Sequence, residues 1–297
     1  MLALVALLAT TMSNATPAAP SDAAWLADIE AFRQRRDQRL RADDGWLVVA
    51  GLSWLAEGEN AFGSAPKAAV PLPAHGAPAH AGVFLRKGKE VTVHVAPGVP
   101  VELAGKPIVT AQLRSDVPGP ADVLELGPLR FFVIERGDRI GIRLRDLESA
   151  RRKSWKGLSW FPPARELRVV ARFVPHAKAE KLTVPTVVGT TQTYESPGRL
   201  VFELAGKTLE LWPVIEEPGA RELFVIFRDE TSGRETYGAG RFLYVPLPAA
   251  DGTVAIDFNR AYAPPCSVSP FATCPMPPKQ NRLPVPVRAG ERGPYEH

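Results

Sequence analysis

"LELGPLRFFVIERGDRIGIRLRD", residues 124–146, holds strand-like pieces separated by Gly127 and Pro128 and by the polar run Arg136 to Arg139. In its last piece Ile140, Ile142 and Leu144 alternate with Gly141, Arg143 and Arg145. A period of two gives one dry face and one wet, basic face, the signature of a half-buried strand. The same device recurs on both sides. Upstream, "AGVFLRKGKEVTVHV" (81–95) and "VPVELAGKPIV" (99–109) are short strands bent by glycine turns. Downstream come "LRVVARFVP" (167–175), "TQTYESPGRLVFEL" (191–204), "ELFVIFRDE" (222–230), "GRFLYVPL" (240–247) and "TVAIDFNR" (253–260). The chain's 30 prolines and 24 glycines suit many short strands and fixed loops better than long helices.

One segment reads as helix. In "SDAAWLADIEAFRQRRDQRLRAD" (21–43), Trp25, Ile29 and Phe32 fall on one face, Ser21 or Asp22 can cap the start, and basic residues gather near the end. A lone amphipathic helix needs a partner surface, and the sheet that follows is the expected one. The fold class is therefore mainly β: an N-terminal helix, an antiparallel β-sandwich-like unit, and a second antiparallel barrel or sandwich-like unit. The division expected along the chain is a signal-like segment at 1–19, the helix at 20–45, the first β unit at 46–146, a linker or insertion at 147–166, the second β unit at 167–260, and a Pro-rich tail at 261–297 packed on it.

Residues 2–10 are almost purely apolar and small and polar residues follow, which reads as the core and cleavage zone of a secretory signal without its basic n-region. The run is too short to span a bilayer, and no transmembrane helix is expected. The mature protein is expected to be periplasmic or secreted. A formal net charge of +4 implies no strong electrostatic partner overall. Residues 130–172 are locally basic and include "RRKSWK" (151–156), a mixture that can meet phosphate. Export argues against nucleic acid, so a small anionic ligand or a cell-envelope component is the expected partner.

Several chemistries lack their motifs. "GLSWL" and "GLSWF" miss the second glycine of a serine elbow, and no phosphate-binding loop, dinucleotide fingerprint or H-E-x-x-H occurs. No cofactor and no metal site are expected. The polar residues closing the late strands are the candidate site. Arg228, Asp229, Thr231, Tyr237 and Arg241 cluster after "LFVIF", while Asp257 and Asn259 share one face of the next strand. On a polar internal face they can bind an anion, and Asp229, Asp257 or Glu291 can do acid–base work in a carboxylate-dependent hydrolase. The competing readings are a salt-bridge and turn network that holds loops at the sheet rim, and a scaffold without a small ligand. The only cysteines, Cys266 and Cys274, sit in a frame of prolines. An exported context favours a disulfide between them; buried free thiols, a metal site and catalysis are the alternatives.

"RDETSGRETYGAGRFLYV" (228–245) and "DFNRAYAPPCSVSPFATCPMPPKQNRLPVPVRAGER" (257–292), with "GWLVVAGLSWLAEGENAFGS" (45–64) and "RGDRIGIRLRDLESARRKSWKGLSWFP" (136–162), resemble the bacterial and archaeal family DUF1684. The resemblance runs from about residue 27 to 292 and implies no particular activity. The strand-and-turn order of the first half is also similar to a forkhead-associated sandwich. That family binds phosphothreonine through an Arg after its first Gly motif and a Ser near a His. Here Ser64 follows Gly63 and Ala79 precedes His80, so the resemblance implies the architecture without the phosphopeptide site.

Overall fold

Helix α1 (Asp22–Arg41) starts where Ser21 Oγ accepts the Ala24 amide at 3.3 Å. In the computed structural model, which describes residues 21–293, its buried side chains are Trp25, Ile29 and Leu40. The signal-like segment at 1–19 lies outside the described residues. The helix does not pack on the sheet that follows it. Its partners come from more than a hundred residues downstream: Trp25 Nε1 donates to Asp257 at 2.7 Å, Arg33 to the Phe161 carbonyl at 2.7 Å, and Arg36 to the Ala263 carbonyl at 2.7 Å. Phe32 meets Trp160 edge-on at 5.9 Å. The second β unit presents matching acceptors and rings, so α1 is sequestered there.

The first β unit contains β1 (Val49–Trp54), β2 (Gly58–Gly63), β3 (Val70–Pro71), β4 (Gly82–Lys87), β5 (Glu90–Val95), β6 (Glu102–Leu103), β7 (Lys106–Pro107), β8 (Thr110–Leu113), β9 (Val123–Leu126), β10 (Leu129–Arg136) and β11 (Arg139–Asp146). They form one sheet in the order β1-β11-β10-β9-β6-β7 and another in the order β3-β2-β4-β5-β8. All pairings are antiparallel except the short β2–β3 contact. Ile140, Ile142 and Leu144 enter the shared core with Phe62, Phe84 and Phe131, as the alternation predicts. The repeated string "ELAGK" marks two hairpins of one kind. Ala104 and Gly105 have φ of 51° and 72°, and Ala205 and Gly206 have 52° and 71°, the paired left-handed residues of a tight hairpin turn.

The segment at 147–166 is neither loop nor spacer throughout. It contains a single helical turn, α2 (Ala150–Lys153), and β12 (Ser159–Trp160), which pairs with the tail strand β19 (Glu291–Arg292). The second unit adds β13 (Arg168–Pro185), β14 (Thr191–Leu204), β15 (Lys207–Leu211), β16 (Glu222–Phe227), β17 (Arg241–Pro246) and β18 (Thr253–Asp257). One sheet has the order β15-β14-β13-β18, and β16 and β17 form a separate hairpin. "LFVIF" is apolar without alternation because both of its faces are covered. Leu223, Val225 and Phe227 enter one core, while Phe224 and Ile226 enter another with Phe242, Cys266 and Cys274.

The basic face of β11 is not wet. Arg143 is only 5% exposed. Arg139 stacks 4.0 Å from the Trp54 ring centroid, Arg143 5.1 Å from Trp46 and Arg145 4.9 Å from Phe132. The loop between the cysteines closes over this face, with Arg136 donating to Thr273 at 3.1 Å and Arg143 reaching the Phe271 carbonyl at 3.5 Å. The basic run is thus the seam between the two β units. Beyond it, Arg152 pairs with Asp43, Arg165 with Asp22, and Trp155 donates to Asp37, so these groups dock α1 and its exit turn. Among the described residues, no helix is long and apolar enough to cross a membrane.

Ile29→Ala should cost about 2–5 kcal/mol, the usual range for emptying a packed aliphatic site. Hydrogen exchange should then accelerate around residues 160–164 and 257–263 more than in β4 and β5. Equal acceleration in both units, or loss confined to the first, would contradict the docking of α1 on the second.

Candidate functional site

The polar cluster at 228–241 folds into a hydrogen-bonded network that ties the C-terminal tail to the β16–β17 hairpin. Asp229 and Arg241 form an ion pair at 2.6 Å with side chains 0% and 1% exposed. Asp229 Oδ1 also accepts the Thr231 amide at 2.7 Å and the Val287 amide at 3.3 Å. Arg241 donates to the Val287 carbonyl at 2.8 Å and to the Ala289 carbonyl, and lies 5.2 Å from the Phe227 ring centroid. Thr231 bonds Thr236 through their hydroxyls at 2.9 Å. Arg228 holds the tail by its backbone, exchanging bonds with Asn281 and Leu283, and borders a shallow hollow of about 130 Å³. The residues read as a ligand cluster are therefore mainly a clasp for the C-terminal tail.

The other candidates are similarly engaged. Asp257 accepts from Trp25 and from Asn259, whose Oδ1 accepts the Ala164 amide at 2.8 Å. Glu291 is fully buried and pairs with Arg36 at 3.3 Å. Tyr237 donates its hydroxyl to the Cys266 carbonyl at 3.0 Å. Asp229 thus bonds within the tail clasp, while Asp257 and Glu291 both bond to α1.

What the structure brings together instead is an aromatic cleft of about 230 Å³. One side is α1, through Arg36, Arg39 and Leu40; another is the turn at Asp44, Gly45 and Trp46. The floor and far wall are Phe224, Phe242 and Tyr244 of the β16–β17 hairpin, with Tyr262, Pro265 and Glu216. The register sets Phe224 opposite Tyr244, whose rings stack at 5.0 Å, while Phe242 meets Phe224 edge-on at 4.9 Å. The Tyr244 and Tyr262 rings are nearly parallel, 6.4 Å apart. Tyr244 donates to Glu216.

Charge in the cleft is divided between a fixed and a free group. Arg36 is fixed by Glu291, the Ala263 carbonyl and the Tyr262 ring, 4.6 Å away. Arg39 meets Asp44 at 2.5 Å with side chains 66% and 53% exposed, so that pair is worth only about 0–1 kcal/mol and can be exchanged for another anion. Burial pushes the tyrosine hydroxyls up: Tyr194 to about 12, and Tyr237, Tyr244 and Tyr262 well above the ordinary phenol value. They remain neutral hydrogen-bonding groups. Sequence reading missed this site because its aromatics lie among apolar strand neighbours; the unbroken apolar run in "LFVIF" was the available signal.

Beside the cleft lie the cysteines. They are free thiols, so the expected disulfide is not formed in this structure. The Cys266 amide donates to Cys274 Sγ at 3.3 Å. The Cys274 thiol, followed by Tyr237, holds Cys266 below the ordinary thiol value, while bonding to Cys266 and burial push Cys274 up. Among the described residues, no group of three or more His, Cys, Asp or Glu is placed to hold a metal ion.

Residues 153–292 match the family described as "Protein of unknown function (DUF1684)". Among solved structures, an uncharacterized protein of Haloarcula marismortui is similar at 34% identity, over 50% of this chain and 82% of that one, with a TM-score of 0.42. An FHA domain solved in a study of phosphothreonine-dependent interactions is 19% identical over 32% of this chain and 92% of its own, with a TM-score of 0.23. The FhaA FHA domain, solved with an intracellular domain of another protein, is 19% identical over 32% of this chain and 97% of its own, also at 0.23. A comparison with curated proteins gave no match.

Two outcomes follow from these geometries. Asp229→Asn should destabilise the protein by about 3–5 kcal/mol in denaturant titration, because it leaves the Arg241 charge buried without its counter-ion. Tyr194, Tyr237, Tyr244 and Tyr262 should resist ionisation when absorbance at 295 nm is followed above pH ~10, the ordinary phenol value, and should ionise together on unfolding. Since the folded state keeps protons that the unfolded chain loses, stability should be full below pH ~10 and fall as pH rises beyond it.

Proposed function

We propose that this protein, a member of the DUF1684 family, to which the chain belongs, is an exported β-rich protein that binds a small anionic ligand with a flat, apolar body. The cleft between α1 and the β16–β17 hairpin carries the reading. A ring fits against Phe224, Phe242 and Tyr244 by offset or edge contacts. An acidic group on that ring can take Arg39 from its exposed partner Asp44. Neutral tyrosine hydroxyls and Glu216 give the mouth further hydrogen-bonding capacity. A few placed polar groups around an apolar lining are the usual composition of a small-molecule site.

Export rests on the apolar run at residues 2–10, and in an oxidising compartment Cys266 and Cys274 would close to a disulfide. A carboxylate-dependent hydrolase is the second reading; its candidate carboxylates are held by the protein, Asp229 by Arg241, Glu291 by Arg36, and Asp257 by Trp25 and Asn259.

Trp46 lines the cleft and reports on it. Titration with planar aromatic carboxylates such as indole-3-acetate, alongside neutral and amine analogues, should raise the melting temperature and perturb tryptophan fluorescence for the acids most. Arg39→Gln should weaken the acids at least several-fold and leave the neutral analogues unchanged. Acids that bind equally to wild type and Arg39→Gln, or a Phe242→Trp variant that fills the cleft and still binds, would overturn the assignment.

A further inference from the structure

The charges around the aromatic cleft do not balance against a simple anion. Arg36 is neutralised by Glu291 at 3.3 Å and Arg39 by Asp44 at 2.5 Å. On the far wall the exposed Glu216 accepts the Tyr244 hydroxyl, a neutral group, and among the described residues it forms no ion pair. An anion that takes Arg39 releases Asp44. Two carboxylates without a cation then border the same cleft of about 230 Å³ as the bound acid, and like charges that close repel one another.

The aromatic rings do not supply a site for a compensating quaternary cation. The Tyr262 ring already carries the Arg36 guanidinium 4.6 Å from its centroid, and the Tyr244 ring stacks on Phe224 at 5.0 Å. A quaternary ammonium needs several open ring faces. A primary ammonium needs acceptors instead, for its three N–H donors. Glu216 meets Tyr244 through Oε2, which leaves Oε1 to accept.

We propose that the ligand of this cleft is an aromatic α-amino acid, with its carboxylate on Arg39, its ammonium on Glu216 and its ring against Phe224 and Phe242. The inference rests on the acidic aromatic ligand proposed above and adds the second, opposite charge. Arg39 stands on α1 and Glu216 on the far wall with the β16–β17 hairpin, so the two charges of one ligand meet different walls. Asp44, once released from Arg39, is a second acceptor for the ammonium at the same mouth. The cleft lies below the ~300–1,000 Å³ usual for drug-sized ligands, which selects a small, single-ring molecule such as phenylalanine or tyrosine.

The test is calorimetric titration of the full chain with phenylalanine and three analogues. 3-Phenylpropionate lacks the ammonium, phenethylamine lacks the carboxylate, and N-acetylphenylalanine carries a nitrogen that cannot be charged. Phenylalanine should bind tightest, with 3-phenylpropionate and N-acetylphenylalanine roughly tenfold weaker, the effect of losing one hydrogen bond between charged groups. Glu216→Gln keeps an acceptor for Tyr244; it should bring phenylalanine down to the level of 3-phenylpropionate and leave 3-phenylpropionate unchanged or tighter. Arg39→Gln should weaken both acids and leave phenethylamine unchanged. Both side chains are exposed, and circular dichroism melts check that the variants fold. If 3-phenylpropionate binds wild type as tightly as phenylalanine, or Glu216→Gln weakens the two equally, the ammonium contact is overturned and the acidic ligand stands. Binding of indole-3-acetate but of none of these four compounds has the same meaning. If phenylalanine responds to Glu216→Gln but not to Arg39→Gln, or if no acid binds at all, both readings fall.

Discussion

The guanidinium of Arg241 holds together the half of the protein that everything else leans on. The C-terminal tail contains prolines at alternate positions and cannot enter a β ladder as a regular strand. From Asn281 to Ala289 its residues nevertheless alternate between buried and exposed, with Leu283, Val285, Val287 and Ala289 inside and Pro284 and Pro286 outside. Its backbone groups need partners that a ladder would otherwise have supplied. Arg241 takes the Val287 and Ala289 carbonyls, Asp229 takes the Val287 amide, and Asn281 binds Trp212 and Ile226 backbone groups. Once the tail is fixed, Glu291 is delivered to Arg36 and β19 to β12.

That arrangement explains why α1 ignores the sheet next to it in sequence. Glu291, Asp257 and the Ala263 and Phe161 carbonyls form a polar rim on the second unit, and Trp25, Arg33 and Arg36 along α1 match it. The cleft is a consequence of this docking. Without α1, the aromatic face of β16 and β17 would be an open apolar patch; with it, the patch becomes a walled site. Gly290 is one of the places where the close fit demands glycine, having φ of 78° and leaving no room for a Cβ against the Ala261 carbonyl.

The seam between the units uses a different physics. Arginines on β11 lie across tryptophan and phenylalanine rings, so their stems and planar heads are buried as amphipathic surfaces. The loop carrying the two thiols seals this layer. Joint, thiols and aromatic cleft are therefore contiguous through Trp46, which stacks under Arg143 and also lines the cleft.

Local structure was legible in the sequence. The alternation in β11 named its core face, the glycine turn in "VPVELAGKPIV" marked a hairpin, and the spacing of Trp25 and Ile29 defined the buried stripe of α1. Each of these is a property of short-range geometry and side-chain chemistry. Partnership was not legible. Whether Asp229 faces a substrate or Arg241, whether Arg143 meets water or Trp46, and whether Tyr244 and Tyr262 fill a core or line a cleft depend on segments far apart in the chain. A polar residue at a strand end has the same pattern in either role, so only the tertiary structure, by fixing what desolvates and neutralises each group, decided between them.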